Sequence, residues 1–183
     1  KKIQVDLHIE NTEEFKKNER KEKLSRNYQE LVENSFNKRL LNVIKTKQTS
    51  VCLSLDTVTW NKGKSILESC APYICMVKLH LDLLTDWNNT ATQEILDMAK
   101  THNFLIIEDS KLDDVPNIVE SQVYGGLHSF GNWVDAVTLN TVNFVSINNA
   151  LYRSAKKKRF DNVSKELTCI PVGQYNTKAS MVT

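Results

Sequence analysis

The run Phe104-Leu105-Ile106-Ile107-Glu108-Asp109-Ser110-Lys111-Leu112-Asp113-Asp114-Val115 sets four consecutive apolar residues directly against a dense mixture of acids and one base. An unbroken apolar run of this length describes a strand buried on both faces, the situation of a strand inside a parallel sheet. Parallel α/β folds place their ligands at the carboxyl ends of such strands. Here the charged residues occupy that end. The same pattern recurs on either side. Val51-Cys52-Leu53-Ser54-Leu55 precedes Asp56, Tyr73-Ile74-Cys75-Met76-Val77 precedes Lys78, and Ala136-Val137-Thr138-Leu139 precedes Asn140. A fifth run, Leu167-Thr168-Cys169-Ile170-Pro171-Val172, lies near the end of the chain. The spacing, roughly 22 to 32 residues, suits consecutive strand and helix units. The intervening polar stretches predict helices over 62–70, 90–102, 116–124 and 147–157.

An open doubly wound sheet would carry a glycine-rich phosphate turn after its first strand, whereas this chain has Asp56-Thr57-Val58-Thr59 there. The expectation is therefore an α/β fold, the front part of a (β/α)8 TIM-type barrel with about five parallel strand units. At 183 residues the chain is short of the more than ~200 that such barrels need for closure. Residues 10–47 add a different element. Acids and bases interleave from Glu13 to Lys23, and Leu24, Tyr28, Leu31, Val32, Phe36, Leu40, Leu41 and Ile44 then follow the spacing of one helical face. The expected organisation is a long helical connector over 1–47 and a partial barrel domain over 48–183.

Composition excludes several classes. The chain is 40% apolar and 25% charged, a globular balance, and 24 Lys and Arg against 22 Asp and Glu leave a net charge of +2. That charge supplies no general attraction to nucleic acid or an anionic membrane. No apolar run approaches the roughly 18 to 20 residues that span a bilayer, so no membrane insertion is expected. The start, Lys1-Lys2-Ile3-Gln4-Val5-Asp6, lacks an initiator Met and a signal-peptide core, and predicts a segment of a longer, cytoplasmic chain. Cys52, Cys70, Cys75 and Cys169 have no CxxC spacing and are expected to be buried reduced thiols. His8, His80, His102 and His128 lack metal-ligand spacing, so neither a metal nor a cofactor site is expected. Trp60, Trp87 and Trp133 are expected in the core or an interface, Lys156-Lys157-Lys158-Arg159 on a solvated helix end, and Tyr124-Gly125-Gly126 at a helix terminus with a glycine cap.

The chemistry concentrates in Asp109, Lys111 and Asp114. Two residues apart on an extended strand end, Asp109 and Lys111 can point to the same side, with Asp114 on the following loop. Alternating carboxylate and ammonium groups in a partly desolvated cleft keep each other ionised. Together with Lys78-Leu79-His80-Leu81-Asp82 on the preceding strand end, this pattern resembles orotidine 5'-monophosphate decarboxylase, and most closely the decarboxylase domain of the eukaryotic bifunctional synthase of uridine monophosphate. The stretches that carry the resemblance are 51–57 (VCLSLDT), 73–87 (YICMVKLHLDLLTDW), 104–115 (FLIIEDSKLDDV), and 122–137 with Tyr124-Gly125-Gly126 and Trp133-Val134-Asp135. The similarity covers about residues 38–140, and Asp-x-Lys-x-x-Asp at Asp109, Lys111 and Asp114 is its sharpest motif.

The resemblance implies a cofactor-free lyase on a dimeric (β/α)8 barrel, converting orotidine monophosphate to uridine monophosphate in pyrimidine biosynthesis. By position, Lys111 would donate the proton to C6 of the pyrimidine, and Asp109 would sit near the leaving carboxylate. Lys78 would complete the charged network and contact the ribose, Asp56 would bind ribose hydroxyls, and Asp114 would reach the other subunit's site. A fixed ammonium stabilises a carbanion without solvent reorganisation, which matches Lys111 to its role. His80 would be a supporting residue.

The chain also departs from the family pattern. Ser110 stands where Arg is usual, and Leu112-Asp113 where Phe-Ala is usual. Val115-Pro116-Asn117-Ile118 replaces Ile-Gly-Asn-Thr, so Ile118 takes the place of a ribose-binding hydroxyl. Asn140-Thr141-Val142-Asn143 replaces a His with Pro and Gly residues, and no phosphate-binding segment is recognisable. Two readings follow. One is a decarboxylase domain completed by further chain, with the nucleotide as its partner and a homodimer formed through the face carrying Asp114. The other is a decarboxylase-derived pseudoenzyme, a dimerisation or interaction module whose open barrel edge is covered by a protein partner.

Overall fold

The computed structural model describes residues 35–160 and 167–173. Of the segment expected to be a helical connector, Ser35–Lys47 form a helix, α1, and the rest lies outside the described residues. The elements that follow are β1 (Cys52–Leu55), α2 (Trp60–Cys70), β2 (Met76–Leu79), α3 (Asn89–His102), β3 (Leu105–Leu112), α4 (Pro116–Gly125), β4 (Ala136–Asn140), α5 (Phe144–Phe160) and β5 (Thr168–Val172). Backbone proximity divides the chain into Lys1–Leu41 and Asn42–Thr183, and the sheet lies wholly in the second unit.

All four strand pairings are parallel, in the order β1-β2-β3-β4-β5. A doubly wound sheet reverses its direction of winding at a switch point, and this one never does. With right-handed crossovers, winding in one direction puts the helices on one side of the sheet and curls it into part of a barrel wall. Every apolar run that predicted a strand contributes to one.

The largest shift is at β2. The apolar run starts at Tyr73, but Ala71–Tyr73 form a short 3-10 turn with Pro72 near its start, and the strand begins at Met76. Proline has no N–H for a ladder, so pairing starts beyond it. The Cys75 amide donates to Val51 O at 2.9 Å just before the strand. The consequence is that Lys78 lies inside β2, opposite Ile107 of β3. β3 likewise continues five residues past its apolar run, to Leu112.

Helix ends follow local chemistry. Asn88 caps α3, its Oδ1 accepting from the Thr90 and Ala91 amides at 2.9 and 3.1 Å, and Asn103 ends the helix in the left-handed region at φ 53°. At α2 the cap comes from elsewhere. Asp86, in the loop after β2, accepts from the Trp60 and Asn61 amides at 2.5 and 3.3 Å, tying that loop to the one after β1. At the opposite end of the sheet, Lys47 donates to the carbonyls of Ala71, Ile74 and His102 at 2.6–2.7 Å.

Leu67, Ile95, Val119, Val123, Ile147 and Leu151 project from the helices onto Val77, Leu79, Ile106, Val137 and Leu139 of the strands, all fully or nearly fully buried in one core. Each such side chain contributes about 1.5–3 kcal/mol by leaving water. Trp60 and Trp133 are buried and Trp87 is half-buried between them, 5.0 Å from the first edge-on and 5.7 Å from the second in a stack.

One expectation is corrected: Cys52, at the start of an edge strand, is exposed rather than buried, and among the four free thiols Cys75 is the buried one. The glycine cap expected at Tyr124-Gly125-Gly126 is present, with Gly126 as the C-cap of α4; its backbone is extended, and a Cβ there would lie 2.6 Å from Gln122 O, so close approach is what requires glycine. Lys156 is exposed on α5 over the Tyr152 ring, and the side chains of the rest of the basic cluster lie outside the described residues. Among the described residues no helix is long and apolar enough to cross a membrane.

Candidate active site

The carboxyl ends of β2, β3 and β4 meet at Asp109. Its residue is 6% exposed, and an ionised carboxylate at that depth needs partners. It has four. Lys78 Nζ lies 2.5 Å and Lys111 Nζ 2.9 Å from the same oxygen, Oδ2, and His80 Nε2 is 3.4 Å from it. Thr138 Oγ1 of β4 donates to the other oxygen, Oδ1, at 2.8 Å. Burial pushes the Asp109 carboxyl upward, but the hydrogen bonds from Lys78, Lys111 and Thr138 outweigh it and hold the group below the usual carboxylate range.

The strand does not present Lys111 by simple alternation. The register of β3 against β4 shifts between Glu108 and Leu112, and Lys111 takes φ 49°, a left-handed conformation that costs a non-glycine residue about 1 kcal/mol or more. Its amide donates to Thr138 Oγ1 at 3.0 Å, and its Nζ also reaches Asp109 O at 3.3 Å. Thr138 thus holds both halves of the Asp109–Lys111 pair, accepting from the Lys111 amide and donating to the Asp109 carboxylate. Its trace in the sequence is slight: it is the single polar residue in the run 136–139.

Glu108 is the second residue that sequence reasoning passed over. It is fully buried, accepts from Ser110 Oγ at 2.6 Å, and takes the Leu81 amide at 3.3 Å on both oxygens. Burial raises its carboxyl to about 7; those hydrogen bonds oppose the rise, and the charges of Asp82 and Asp109 add to it.

The remaining predicted residues are more dispersed. Asp56, one residue beyond β1, is exposed; its carboxylate accepts from Ser54 Oγ at 3.0 Å and, among the described residues, joins no ion pair with the network. Asp114 is exposed on the loop after β3 and accepts from the neighbouring Val115 amide at 2.6 Å. Pro116 is the first residue of α4, where its missing N–H costs nothing. Ile118, on the first turn, is 42% exposed. Asp113 accepts from Asn143 Nδ2 at 3.2 Å, joining this loop to the start of α5.

At Asp109 two ammonium groups meet one carboxylate oxygen, so a positive charge is left over for an anionic ligand. The Lys78 and Lys111 side chains are 28% and 33% exposed against 8% for Asp109. The carboxylate is the anchor, and the ammonium groups are the parts a solute can reach. A fixed N–H⁺ of this kind can stabilise developing negative charge and deliver a proton.

A family model described as Orotidine 5'-phosphate decarboxylase / HUMPS family matches residues 49–183. Over 120 residues the chain is 37% identical to the orotidine 5'-phosphate decarboxylase of Kodamaea ohmeri, covering 65% of this chain and 46% of that protein. The protein of the same description from Candida boidinii is 36% identical over 121 residues, 66% of this chain and 45% of its own. The chain spans about half the length of the curated relatives it matches. Among solved structures, the orotidine 5'-monophosphate decarboxylase of Methanocaldococcus jannaschii aligns with TM-score 0.51 at 21% identity, over 71% of this chain and 57% of that one. That of Plasmodium berghei aligns with TM-score 0.51 at 12% identity, over 78% and 62%. These structural likenesses are of fold, a five-strand wall matching part of a TIM barrel.

Proposed function

The chain belongs to the orotidine 5'-phosphate decarboxylase / HUMPS family, and from that membership and its charged site we propose that it binds orotidine 5'-monophosphate and releases carbon dioxide and uridine monophosphate. The observation that carries the reading is the convergence of Lys78 and Lys111 on Asp109 Oδ2. In the proposed reaction the bond between C6 and the substrate carboxylate breaks, carbon dioxide leaves, and the electron pair stays on C6. Lys111 gives that carbon its proton and regains one from water. Asp109 orients both lysines and crowds the substrate carboxylate, a repulsion that helps only if binding elsewhere compensates it. Lys78 holds Asp109 and faces the ribose, and Asp56 takes ribose hydroxyls.

In this reading Asp114 serves the site of a second copy in a homodimer, with Ile118 lining the same approach. The domain would span 48–183 behind a helical connector, with further chain supplying phosphate recognition and the cytoplasm as its location. Incubation of the purified protein, in its longest natural form, with orotidine 5'-monophosphate should change the ultraviolet spectrum to that of uridine monophosphate. Lys111→Ala should slow the change by about 10²–10⁴-fold, the usual contribution of a positioned proton donor. Absence of both turnover and nucleotide binding in a folded sample would refute the proposal.

One observation favours a second reading. Val115, Ile118, Val142 and Val145 expose 42–77% of their surface around the ends of β3 and β4, where the two loops meet at Asp113 and Asn143. An apolar rim there suits a decarboxylase-derived interaction module without turnover.

A further inference from the structure

We propose that Glu108 is a positioning residue for the charged site, gripping the turn after β2 and the bulge of β3 with one buried carboxyl. It deepens the reading above and rests on it for the identity of the ligand. The Leu81 amide, bound to both Glu108 oxygens at 3.3 Å, belongs to the residue directly after His80. Fixing that amide fixes the backbone from which the imidazole reaches Asp109. Ser110, whose hydroxyl donates to Glu108 Oε1 at 2.6 Å, directly precedes Lys111. A left-handed Lys111 persists only if its surroundings hold it, and it is held from both sides, by Glu108 through Ser110 and by Thr138 at its own amide.

The chemistry of the grip does not depend on one protonation state. The charges of Asp82 in the turn and of Asp109, next to it on the strand, both disfavour the charge of Glu108, and among the described residues no lysine or arginine pairs with it. As a carboxylate, Glu108 accepts from both donors. As a neutral acid, it still accepts from Leu81 and donates its own proton to Ser110 Oγ. A glutamine offers the same pair of functions, with its carbonyl toward Leu81 and its amide toward Ser110. Alanine offers neither.

The test compares Glu108→Gln, Glu108→Ala and Ser110→Ala with the parent chain, using isotope-labelled protein without ligand and calorimetric titration with uridine monophosphate. Glu108→Ala should move the His80 imidazole and Lys111 Cε resonances and weaken nucleotide binding by about 10-fold or more, as displaced positioning groups do. Glu108→Gln should restore both resonances and bind within about 3-fold of the parent. Ser110→Ala should move Lys111 and leave His80 in place. A folded Glu108→Ala with both resonances unmoved overturns the inference, as does a glutamine as disruptive as alanine. If Glu108→Ala fails to fold, an unmoved Lys111 signal in Ser110→Ala overturns it instead. A parent chain that binds no uridine monophosphate refutes the functional reading alone, because the ligand-free resonances still decide whether Glu108 positions the site.

Discussion

Two neighbouring regions carry acids of the same motif and are held in opposite ways. Asp109, inside β3, is buried and tied to three strands' worth of side chains through Lys78, Lys111 and Thr138. Asp114, five residues on, is exposed and, among the described residues, accepts from the adjacent Val115 amide alone. The difference teaches where a functional residue draws its precision. Sheet register places Asp109 before any ligand arrives, whereas the position of Asp114 depends on a loop with few buried contacts. In the proposed function that loop would be organised by a second copy.

The sharpest way to expose the contrast is pH. Glu108 has its carboxyl raised from 4.5 to about 7, so the folded chain holds a proton that the unfolded chain releases. Stability from this group is then fully present below pH 4.5, falls as pH rises from 4.5 to 7, and is lost above, by about 3 kcal/mol in all. Urea melts of the parent and Glu108→Gln between pH 4.5 and 8 should differ by that slope, with the variant relatively more stable at pH 8. Coincident profiles would mean that Glu108 ionises as in water.

Removing the anchor should have the next largest effect. Asp109→Ala strands two ammonium groups; in a dry interior the loss would be about 3–5 kcal/mol, and roughly half that is expected here because the lysines are partly open to water. Asp109 has its carboxyl below the ordinary range, so its contribution is present above the unfolded value of 3.8 and declines as pH falls through the lower folded value. The Asp109→Ala difference should shrink in acid, measured by urea melts at pH 7 and pH 3. Thr138→Val keeps the shape and removes both hydrogen bonds, and should cost about 1–3 kcal/mol by the same measurement.

The loop should be far more tolerant. Asp113→Ala and Ile118→Thr should each change the melting free energy by less than about 0.5 kcal/mol, as exposed substitutions do. A loss above about 1 kcal/mol for Asp113→Ala would show that its bond to Asn143 makes the loop a rigid part of the site and would erase the distinction drawn here.

Much of this was legible before any coordinates. The runs at 51–55, 104–107, 136–139 and 167–172 each yield a strand because burial on both faces of a parallel sheet demands unbroken apolar sequence. The run at 73–77 was displaced because Pro72 and its turn occupy the start of the apolar stretch. The strand-end pattern suggested a pairing of Asp109 with Lys111, the family resemblance added Lys78, and the bulge that actually turns Lys111 toward Asp109 had no local mark. Thr138 stood out weakly, as one hydroxyl among apolar neighbours, and nothing local marks it as the partner of a residue 29 positions away.

Sequence by itself determined the kind of fold, its strand segments and the charged end of the sheet, because periodicity and apolar burial are written into adjacent residues. Which of the neighbouring acids Glu108 and Asp109 is the ionised anchor, and how Lys111 turns back to meet it, was decided by tertiary structure. The deciding groups are a backbone amide at Leu81 in the turn after β2, an ammonium at Lys78 on β2 and a hydroxyl at Thr138 on β4. Charge in a protein interior follows the partners that surround it, and those partners are neighbours in space rather than along the chain.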